Sequence, residues 1–377
     1  MDSSRRLKIL RVITWLPVGG IERRLVATLP RLDRERFDVS LVCIRERGPL
    51  AEELEAADIP VECVPLHSRW DPWGLQRLAG LMRERRIDIV HGHMYRGNVP
   101  ATVAARLAGV RRVWCQVHNV DTWETRRQAW VDRRLCRWRS GMIAVSESVR
   151  GDVIETLRLP PERVRVIRNG VEIERFSLAR GRRGQLRAER GVRPDQTVFL
   201  FAGRLVEQKR CRDFLDAFGR LQSEPAGEGL RAWIVGDGPC REALERQAGR
   251  LPRPDAVQFF SARDDVEDFM AAADVFVLPS TKEGFSNALV EAMASGLAIV
   301  ATDVGGNTEA VRDGLEGRIV PPLKTDPLTE VLRALWREPE LRRRLAEAAR
   351  TRAPLFSLDR MITELEDLYT ESHEMEG

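Results

Sequence analysis

The sequence has few of the patterns that mark secreted, metal-binding or membrane-spanning proteins. Its six cysteines form no CxxC pair, which favours buried thiols in a reducing compartment over disulfides or a zinc site. No segment approaches the roughly 18 apolar residues that cross a bilayer, and no secretory signal is recognisable. Repeats of solenoid period are also absent. These absences predict a cytoplasmic protein made of globular domains.

Charge is distributed unevenly along the 377 residues, a length typical of two or three domains. Residues 1–175 contain 32 basic and 23 acidic side chains, a net charge of +9. Residues 176–377 contain 29 basic and 34 acidic side chains, a net charge of −5. A basic first half is compatible with anionic lipid, a phosphate-bearing acceptor or nucleic acid, and equally with a solvated arginine-rich face.

Apolar, β-branched segments alternate with amphipathic segments through both halves. This alternation predicts an α/β fold with parallel sheets, in which ligands bind at the carboxyl ends of the strands. The strands are predicted at residues 8–16, 37–44, 60–66, 87–91, 113–118, 141–145, 163–167, 197–202, 231–235, 273–278 and 297–301.

The most informative stretch runs from Leu278 to Glu309 and is predicted to form a strand, a loop, a helix and a second strand. Backbone amides at a helix N-terminus bind phosphate well, and Gly284 lets the backbone approach a ligand closely. We interpret Glu283 and Glu291 as hydroxyl acceptors, one for a sugar and one for a ribose. An ordinary strand–loop–helix unit with two surface glutamates remains an alternative. The candidate amides belong to Ser286, Asn287, Ala288 and Leu289.

In the first half, candidate site residues follow predicted strands. Gly19 and Gly20 form the first strand-to-helix turn, although the GxGxxG dinucleotide pattern is absent. Three of the five histidines, at positions 91, 93 and 118, stand at strand ends. They are candidate ligand contacts or simply polar loop residues, and no third ligand at metal spacing supports zinc. Asp121 is a weaker candidate beside them.

Arginine and tryptophan alternate between Trp123 and Arg139. This composition fits a helix with an apolar face packed inward and a solvated arginine face. It also fits a helix lying on an anionic membrane, or an RNA-binding segment.

The segment EGFSNALVEAMASGLAIVATDVGGNTE resembles the donor-binding signature of the family 4 retaining glycosyltransferases, which use nucleotide sugars. The family marker is two glutamates separated by seven residues, here Glu283 and Glu291. Other segments resemble further family motifs: Gly19-Gly20-Ile21-Glu22, Asn169-Gly170-Val171, Gly203-Arg204-Leu205 with Lys209, and Gly236-Asp237-Gly238-Pro239.

The resemblance implies the GT-B fold, two Rossmann-like domains whose parallel sheets face across a cleft. Residues 1–172 would form the acceptor-binding domain, and residues 173–357 the nucleotide-sugar-binding domain. The helix at about 358–377 would pack back on the first domain. The polar segment 177–196 is interpreted as an inter-domain segment.

The resemblance also assigns roles to individual residues. Two fixed cations, Arg204 and Lys209, would clamp a diphosphate that gains charge as the glycosidic bond breaks. The implied catalytic residues are His118, Glu283, Arg204 and Lys209. The implied donor-binding residues are Gly19, Gly20, Gly203, Gly236, Gly284, Phe285, Ser286, Asn287, Ala288, Leu289 and Glu291. The Asp-x-Asp metal motif is absent, so we expect neither a metal nor a cofactor.

The implied reaction is retaining transfer of a hexose from a nucleotide diphosphate sugar to a glycan or lipid-linked cell-envelope acceptor. A UDP-sugar is favoured as donor, and GDP-mannose is the alternative. The expected partners include an anionic membrane surface and exclude nucleic acid, with the protein peripheral at the inner face of the membrane. A nucleotide-sugar epimerase or phosphorylase of the same architecture, or a non-catalytic sugar-nucleotide binder, remain alternative functions.

Overall fold

The computed structural model describes residues 5–120 and 122–374. The described chain divides into two compact units. Unit 2 is Val171–Ser357, and unit 1 is the remainder, which includes the C-terminal helix. The chain therefore leaves unit 1 after Gly170, two residues before the boundary expected from the sequence.

Unit 1 is built on a sheet of parallel strands in the order β3-β2-β1-β4-β5-β6-β7. The strands are β1 (Leu7–Ile13), β2 (Phe37–Cys43), β3 (Val61–Cys63), β4 (Ile89–His93), β5 (Arg112–Val117), β6 (Gly141–Ala144) and β7 (Val164–Val166). The first six helices are α1 (Gly20–Thr28), α2 (Ala51–Ala56), α3 (Pro72–Glu84), α4 (Met94–Ala108), α5 (Arg126–Leu135) and α6 (Glu147–Leu157).

Unit 2 contains a second parallel sheet, in the order β10-β9-β8-β11-β12-β13. Its strands are β8 (Thr197–Ala202), β9 (Leu230–Val235), β10 (Val257–Phe260), β11 (Val275–Leu278), β12 (Ala298–Thr302) and β13 (Gly317–Val320). Its helices are α7 (Ile173–Arg180), α8 (Arg183–Glu189), α9 (Cys211–Gln222), α10 (Arg241–Ala248), α11 (Val266–Ala272), α12 (Asn287–Ala294), α13 (Asn307–Ala310), α14 (Thr325–Arg337) and α15 (Pro339–Arg352).

The C-terminal helix α16 (Leu358–Glu374) belongs to the core of unit 1. Its apolar face recurs every three to four residues, as expected of an amphipathic helix that packs on a core. That face, together with the fully buried Tyr369, lies in the same apolar cluster as Ile9 of β1 and Phe37 of β2. Folding of unit 1 therefore requires the two ends of the described chain to come together.

Placing α16 in unit 1 changes the charge distribution expected from the sequence. Residues 358–377 carry one basic and seven acidic side chains. Unit 1 as a whole has 32 basic and 28 acidic side chains, a net charge of +4, and unit 2 has 29 of each. The large difference between the halves thus mostly cancels, so a basic surface has to be sought locally.

The polar segment 177–196 is not a linker, contrary to the interpretation from its composition. It contains the end of α7 and all of α8, and both helices contact α11 within unit 2. Arg183 and Arg187 both form ion pairs with Asp274, at 2.6 and 3.0 Å. The segment is rich in arginine, and its composition therefore suggested a solvated linker. In the structure, two of these arginines pair with a partly buried carboxylate, so the segment is packed.

Each sheet reverses its strand order at one point, and this point defines where a ligand crevice forms. In unit 1 the reversal lies between β1 and β4, and in unit 2 between β8 and β11. The loops that leave these four strands carry most of the candidate site residues.

Candidate functional site

Lys209 and Glu283 meet at the reversal point of unit 2. Lys209 follows β8 and Glu283 follows β11, yet Lys209 Nζ lies 2.6 Å from Glu283 Oε1. The same carboxylate oxygen accepts a hydrogen bond of 2.6 Å from Ser280 Oγ. The lysine side chain is 19% exposed and the glutamate side chain 8%, so the pair is shielded from bulk solvent.

Backbone contacts between the two loops hold this pair in place. The Thr281 amide donates to the Gln208 carbonyl at 2.8 Å. In return, the Gln208 side-chain amide donates to the Lys282 carbonyl at 2.7 Å. The position of Lys209 relative to Glu283 is therefore set by the chain on both sides and does not depend on the ion pair alone.

Arg204 is exposed and follows Gly203 after the end of β8, one of the two strands at the reversal point of unit 2. The turn is tied to the loop after β9, because the Gly203 amide donates to the Val235 carbonyl at 3.0 Å. Gly236 has φ +140°, and a Cβ there would lie 2.0 Å from the Gly203 carbonyl oxygen. Gly236 is therefore required for close approach of the two loops, which fixes the backbone that carries Arg204.

Helix α12 begins directly after the Glu283 loop, with Ser286 as its N-cap residue. No side chain caps the first turn within the described chain, so the amides of Asn287, Ala288 and Leu289 have no intrahelical or capping acceptor. The first turn of α12 thus presents N–H donors and the positive end of a helix dipole close to Lys209.

Glycines and one aromatic ring fix the loop before α12. A Cβ on Gly305, which has φ +51°, would lie 1.6 Å from the Glu283 carbonyl oxygen, and Gly306 donates its amide to the Gly284 carbonyl at 3.1 Å. Phe285 is buried, with its ring 5.3 Å from that of Phe356. The ring of Phe285 therefore packs inside unit 2, and its donor-binding role stays a prediction.

Glu291 lies one turn further along α12 and is partly buried. Burial raises the pKa of its carboxyl to about 7, and the nearby Arg175 only partly offsets this effect. Arg175 itself forms an ion pair with Glu267 at 2.7 Å. Glu291 can therefore act as either hydroxyl acceptor or hydroxyl donor near neutral pH.

In unit 1, Gly19 and Gly20 lie at the start of α1, after the reversal-point strand β1. A Cβ on Gly19 would come within 2.4 Å of Glu22 Oε2, whereas a Cβ on Gly20 would meet no atom within 4 Å. A side chain at position 20 would therefore meet open space, so packing within unit 1 does not require a glycine there.

His118 follows β5 and contacts other polar side chains of unit 1 through both ring nitrogens. Its Nδ1 lies 2.9 Å from Arg24 Nη2, and its Nε2 lies 3.2 Å from His93 Nδ1. Burial, reinforced by Arg24 and Arg11, lowers the pKa of His118 well below its usual range. The ring is therefore neutral at physiological pH. Asp121, the weaker sequence candidate nearby, lies outside the described residues.

Four residues near the site were not predicted from the sequence: Ser280, Arg11, Arg24 and Tyr369. Arg11 could have been noticed as a charged residue inside an apolar strand. Tyr369, one of only two tyrosines, lies on the apolar face of an amphipathic helix. Ser280 and Arg24 gave no comparable signal, because only the fold brings them to Glu283 and His118.

The arginine–tryptophan segment is divided between core and surface. Trp123 and Trp138 pack against a small apolar cluster that contains Tyr95 and Leu135, whereas Trp130 is 58% exposed. Five exposed arginines surround α5, namely Arg126, Arg127, Arg133, Arg134 and Arg137. The packing interpretation therefore describes Trp123 and Trp138, and a role for the exposed face at a membrane or RNA stays a prediction.

The described residues contain neither a metal-binding cluster nor a membrane-spanning helix. No group of three or more His, Cys, Asp or Glu side chains in residues 5–120 and 122–374 is arranged to hold a metal ion. Over the same residues, no helix is both long enough and apolar enough to span a bilayer.

Two family profiles match the chain. The profile described as Glycosyltransferase Family 4 matches residues 18–175, and that described as Glycosyl transferases group 1 matches residues 182–352. Among curated relatives, UDP-Gal:alpha-D-GlcNAc-diphosphoundecaprenol alpha-1,3-galactosyltransferase of Escherichia coli is 28% identical, over 84% of this chain and 84% of its own length. D-inositol 3-phosphate glycosyltransferase of Streptomyces bingchenggensis is 31% identical, over 87% of this chain and 74% of its own length.

Among solved structures, Anabaena Alr3699/HepE in complex with UDP-glucose is similar in fold. Its TM-score is 0.85 at 23% identity, with 97% of this chain and 100% of that chain covered. Together with the two parallel sheets, this likeness defines the fold class as GT-B. The chain belongs to the family 4 glycosyltransferases, as the family profiles and the 31% identical relative show. The fold class and the family predicted from the sequence are confirmed.

Proposed function

We propose that this protein is a retaining hexosyltransferase that uses a UDP-sugar and a lipid-linked or other glycan acceptor of the cell envelope. Support for the donor comes from the UDP-glucose complex of a structural neighbour and from the UDP-Gal in the name of one relative. Support for the acceptor comes from the diphosphoundecaprenol in that name. GDP-mannose is the alternative donor.

The observation that carries the proposal is the Lys209–Glu283 pair beside the uncapped first turn of α12. A donor diphosphate brings two negative charges to this point, where it can replace Glu283 as the partner of Lys209. The amides of α12 and the exposed Arg204 supply the remaining donors. As the glycosidic bond breaks, charge accumulates on the leaving diphosphate, and these fixed cations and amides stabilise it.

Glu283 then changes its role in the proposed reaction. Once Lys209 turns to the diphosphate, the carboxylate is free to accept hydrogen bonds from sugar hydroxyls, while Ser280 Oγ holds it in position. Glu291 accepts from the ribose, and His118 contacts the donor sugar near the reacting carbon. Transfer with retention follows if the leaving phosphate takes the acceptor proton on the same face of the sugar. Because the charge is compensated by protein cations, we expect activity without a metal.

Replacement of Lys209 tests the proposal, with Lys282 as a matched control. Lys209→Ala removes one of the cations that stabilise the leaving group, so kcat/KM for UDP-sugar transfer should fall about a hundred-fold or more. Lys282 is an exposed lysine of the adjoining loop, and the backbone carbonyl that bonds Gln208 survives in Lys282→Ala. The control variant Lys282→Ala should retain near wild-type kcat/KM. Each assay is run with and without EDTA, which tests separately whether a metal takes part.

Equal activities of the two variants would contradict the proposed role of Lys209. A protein that binds UDP-sugars tightly but shows neither transfer nor hydrolysis would be a binder without catalysis. Loss of transfer on EDTA treatment would contradict the expectation that no metal takes part.

We also propose that the exposed face of α5 holds the protein at an anionic membrane. Five exposed arginines lie within residues 126–137, and Arg134 stacks over the exposed ring of Trp130 at 5.2 Å. Trp70, just before α3, is 50% exposed, and Trp73, in the first turn of α3, is 80% exposed. Helix α3 packs on α4, and α5 contacts α4 as well. Arginines with exposed tryptophans are the composition that favours the headgroup region of a membrane.

Vesicle sedimentation tests the membrane face. Vesicles with about a third anionic lipid should bind the protein in low salt, and neutral phosphatidylcholine vesicles should not, because each basic residue near an anionic surface contributes about 1 kcal/mol. Reversing two exposed arginines, in Arg133→Glu/Arg134→Glu, should abolish binding. The double variant Arg343→Glu/Arg344→Glu on α15 adds the same charge elsewhere and should bind normally. Equal binding of both variants would contradict this membrane face.

A further inference from the structure

A continuous chain of buried polar side chains joins the C-terminal helix to His118. Tyr369 Oη lies 2.6 Å from Arg11 Nη1, and Arg11 Nε lies 2.9 Å from His93 Nε2. His93 Nδ1 in turn lies 3.2 Å from His118 Nε2. Tyr369 and His93 are fully buried, and Arg11 is 3% exposed. We call these four residues the Tyr–Arg–His chain. All four belong to unit 1.

The chemistry of the donors gives this chain a direction. A guanidinium only donates, so His93 Nε2 must be the acceptor for Arg11. The neutral His93 ring then carries its proton on Nδ1, from which it can donate to His118 Nε2. At the other end, Tyr369 Oη accepts from Arg11 and donates to His91 Nδ1 at 2.8 Å.

The ring geometry fits a chain that sets orientation as well as proton position. The rings of His91 and His93 stack at 4.7 Å and 9°, and those of His93 and His118 at 5.5 Å and 17°. Burial lowers the pKa of each of the three rings well below its usual range. All three are therefore neutral, so each has one donor nitrogen and one acceptor nitrogen.

Arg24 competes for the acceptor nitrogen of His118. Its Nη2 lies 2.9 Å from His118 Nδ1, and it too only donates. Since a neutral imidazole has a single acceptor nitrogen, His118 cannot accept from His93 and from Arg24 at the same time. The proton of His118 lies on Nδ1 when His93 holds the ring, and on Nε2 when Arg24 does.

We propose that Tyr369 and Arg11 are positioning residues that act through His93 to hold His118 in its Nδ1–H form. The inference rests on the proposed function only in that His118 is taken to contact the donor sugar; the hydrogen-bond direction stands without it. The helix that closes the described chain then has a second role, because its Tyr369 hydroxyl anchors the orientation of a ring that contacts substrate. A weakened chain releases His118 to Arg24.

The test compares Tyr369→Phe with Ser372→Ala in the full-length protein. Ser372 lies on the same face of α16, where its hydroxyl accepts from Trp114 Nε1 at 2.8 Å. Each substitution therefore removes one buried hydroxyl of α16 that accepts a side-chain hydrogen bond, and only Tyr369→Phe breaks the Tyr–Arg–His chain. Ring-¹⁵N histidine NMR without donor reports the tautomer of each ring, and steady-state transfer assays report kcat and KM.

The wild type should show His93 and His118 both protonated on Nδ1. Tyr369→Phe should move a measurable fraction of His118 to the Nε2–H form and lower kcat about ten-fold, with KM for the donor little changed. Ser372→Ala should leave the histidine signals and kcat as in the wild type. His93 protonated on Nε2, or His118 signals that are the same in Tyr369→Phe and wild type, would overturn the proposal.

The two readouts separate failure of this inference from failure of the proposed function. If the wild type transfers sugar and Tyr369→Phe has the same kcat as Ser372→Ala, the positioning role is wrong and the transferase assignment stands. If the tautomers behave as described but no UDP-sugar or GDP-mannose is turned over by any variant, the transferase assignment fails and the catalytic part of the inference falls with it. Arg11→Met is a second variant, and it should shift His118 further than Tyr369→Phe does.

Discussion

The two units carry polar centres at the same topological position, but these centres are built from opposite chemistry. In unit 2, the cation Lys209 faces the carboxylate Glu283 beside an uncapped helix. In unit 1, neutral histidines and buried arginines bond to one another, and the hydrogen bonds that join Tyr369 to His118 involve no carboxylate. The same topological position therefore holds a charged pair in unit 2 and a set of neutral, hydrogen-bonded rings in unit 1.

The centre of unit 2 allows Lys209 to exchange one anionic partner for another. Its ion pair satisfies both charges without a ligand, yet an incoming anion can take the place of the carboxylate at Lys209. The centre of unit 1 is built for orientation, because its neutral rings are fixed by direction-specific hydrogen bonds and keep their protonation state over a wide pH range. Substitutions should therefore affect binding and leaving-group chemistry in unit 2, and the geometry of reaction in unit 1.

The largest effect is expected from Glu283→Gln, which removes the charge from the unit 2 pair. The amide is nearly isosteric, but Lys209 then lacks a buried anionic partner in the free protein, and the sugar loses its anionic acceptor. We expect kcat for transfer to fall about a thousand-fold, measured by steady-state kinetics. Glu316→Gln is the matched control, since Glu316 is another buried glutamate of unit 2, paired with Arg312.

A loss in Glu283→Gln no larger than that in Glu316→Gln would mean that the unit 2 pair is structural. Lys209 and Glu283 would then stabilise the fold of unit 2 without exchanging partners when a donor binds.

The next effect concerns pH, and unit 1 should respond to acid. Burial holds the pKa values of His91, His93 and His118 below the ordinary value of about 6.5. Below pH 6.5 the unfolded chain takes up protons that the folded chain does not, so stability falls as pH falls. Each histidine contributes up to about 1.4 kcal/mol per pH unit in this window. Thermal unfolding between pH 7.5 and 5 measures the slope, and His91→Gln should reduce it.

An unfolding temperature that stays constant from pH 7.5 to pH 5 would show that these rings take up protons in the folded state. That result would contradict the neutral centre of unit 1.

The smallest effect is expected at Glu291, and its sign is opposite. Burial raises the folded pKa of this carboxyl from 4.5 to about 7, so the contribution of Glu291 to stability is largest below pH 4.5 and is lost as pH rises through about 7. Glu291→Gln should therefore stabilise the protein at pH 8 by about 1 kcal/mol, since the group is only partly buried. It should also raise KM for the donor several-fold. Destabilisation at pH 8 would show that Glu291 is held as a stabilising carboxylate.

The sequence predicted the sheets well because buried parallel strands leave a strong local signal. All eleven strand predictions lie within three residues of the observed bounds, and those at 8–16 and 60–66 extend beyond the C-terminal ends of β1 and β3. Strands β10 and β13 were missed, since four residues with mixed burial, such as Gly317–Val320, carry too little pattern. Helix α8 was missed because its arginines pair with Asp274, a residue between α11 and β11 that only the fold brings near.

The candidate site was predictable in unit 2 and much less so in unit 1. Glu283 and the α12 amides occur in one contiguous segment, so their spacing is visible in the sequence. The partners of His118 come from β1, α1, β4 and α16, separated by up to about the whole chain length. No local sequence pattern predicts such a set of contacts. The role of the Tyr369 hydroxyl is visible only in the structure, where it accepts a hydrogen bond from the buried Arg11.

The crystal structure of the protein with UDP tests the central claim most directly. The account predicts that Lys209 Nζ leaves Glu283 and lies within hydrogen-bond distance of a diphosphate oxygen, with the α12 amides on the same group. If UDP binds elsewhere, or binds at α12 while the Lys209–Glu283 pair stays closed, the exchange on which the account depends does not occur.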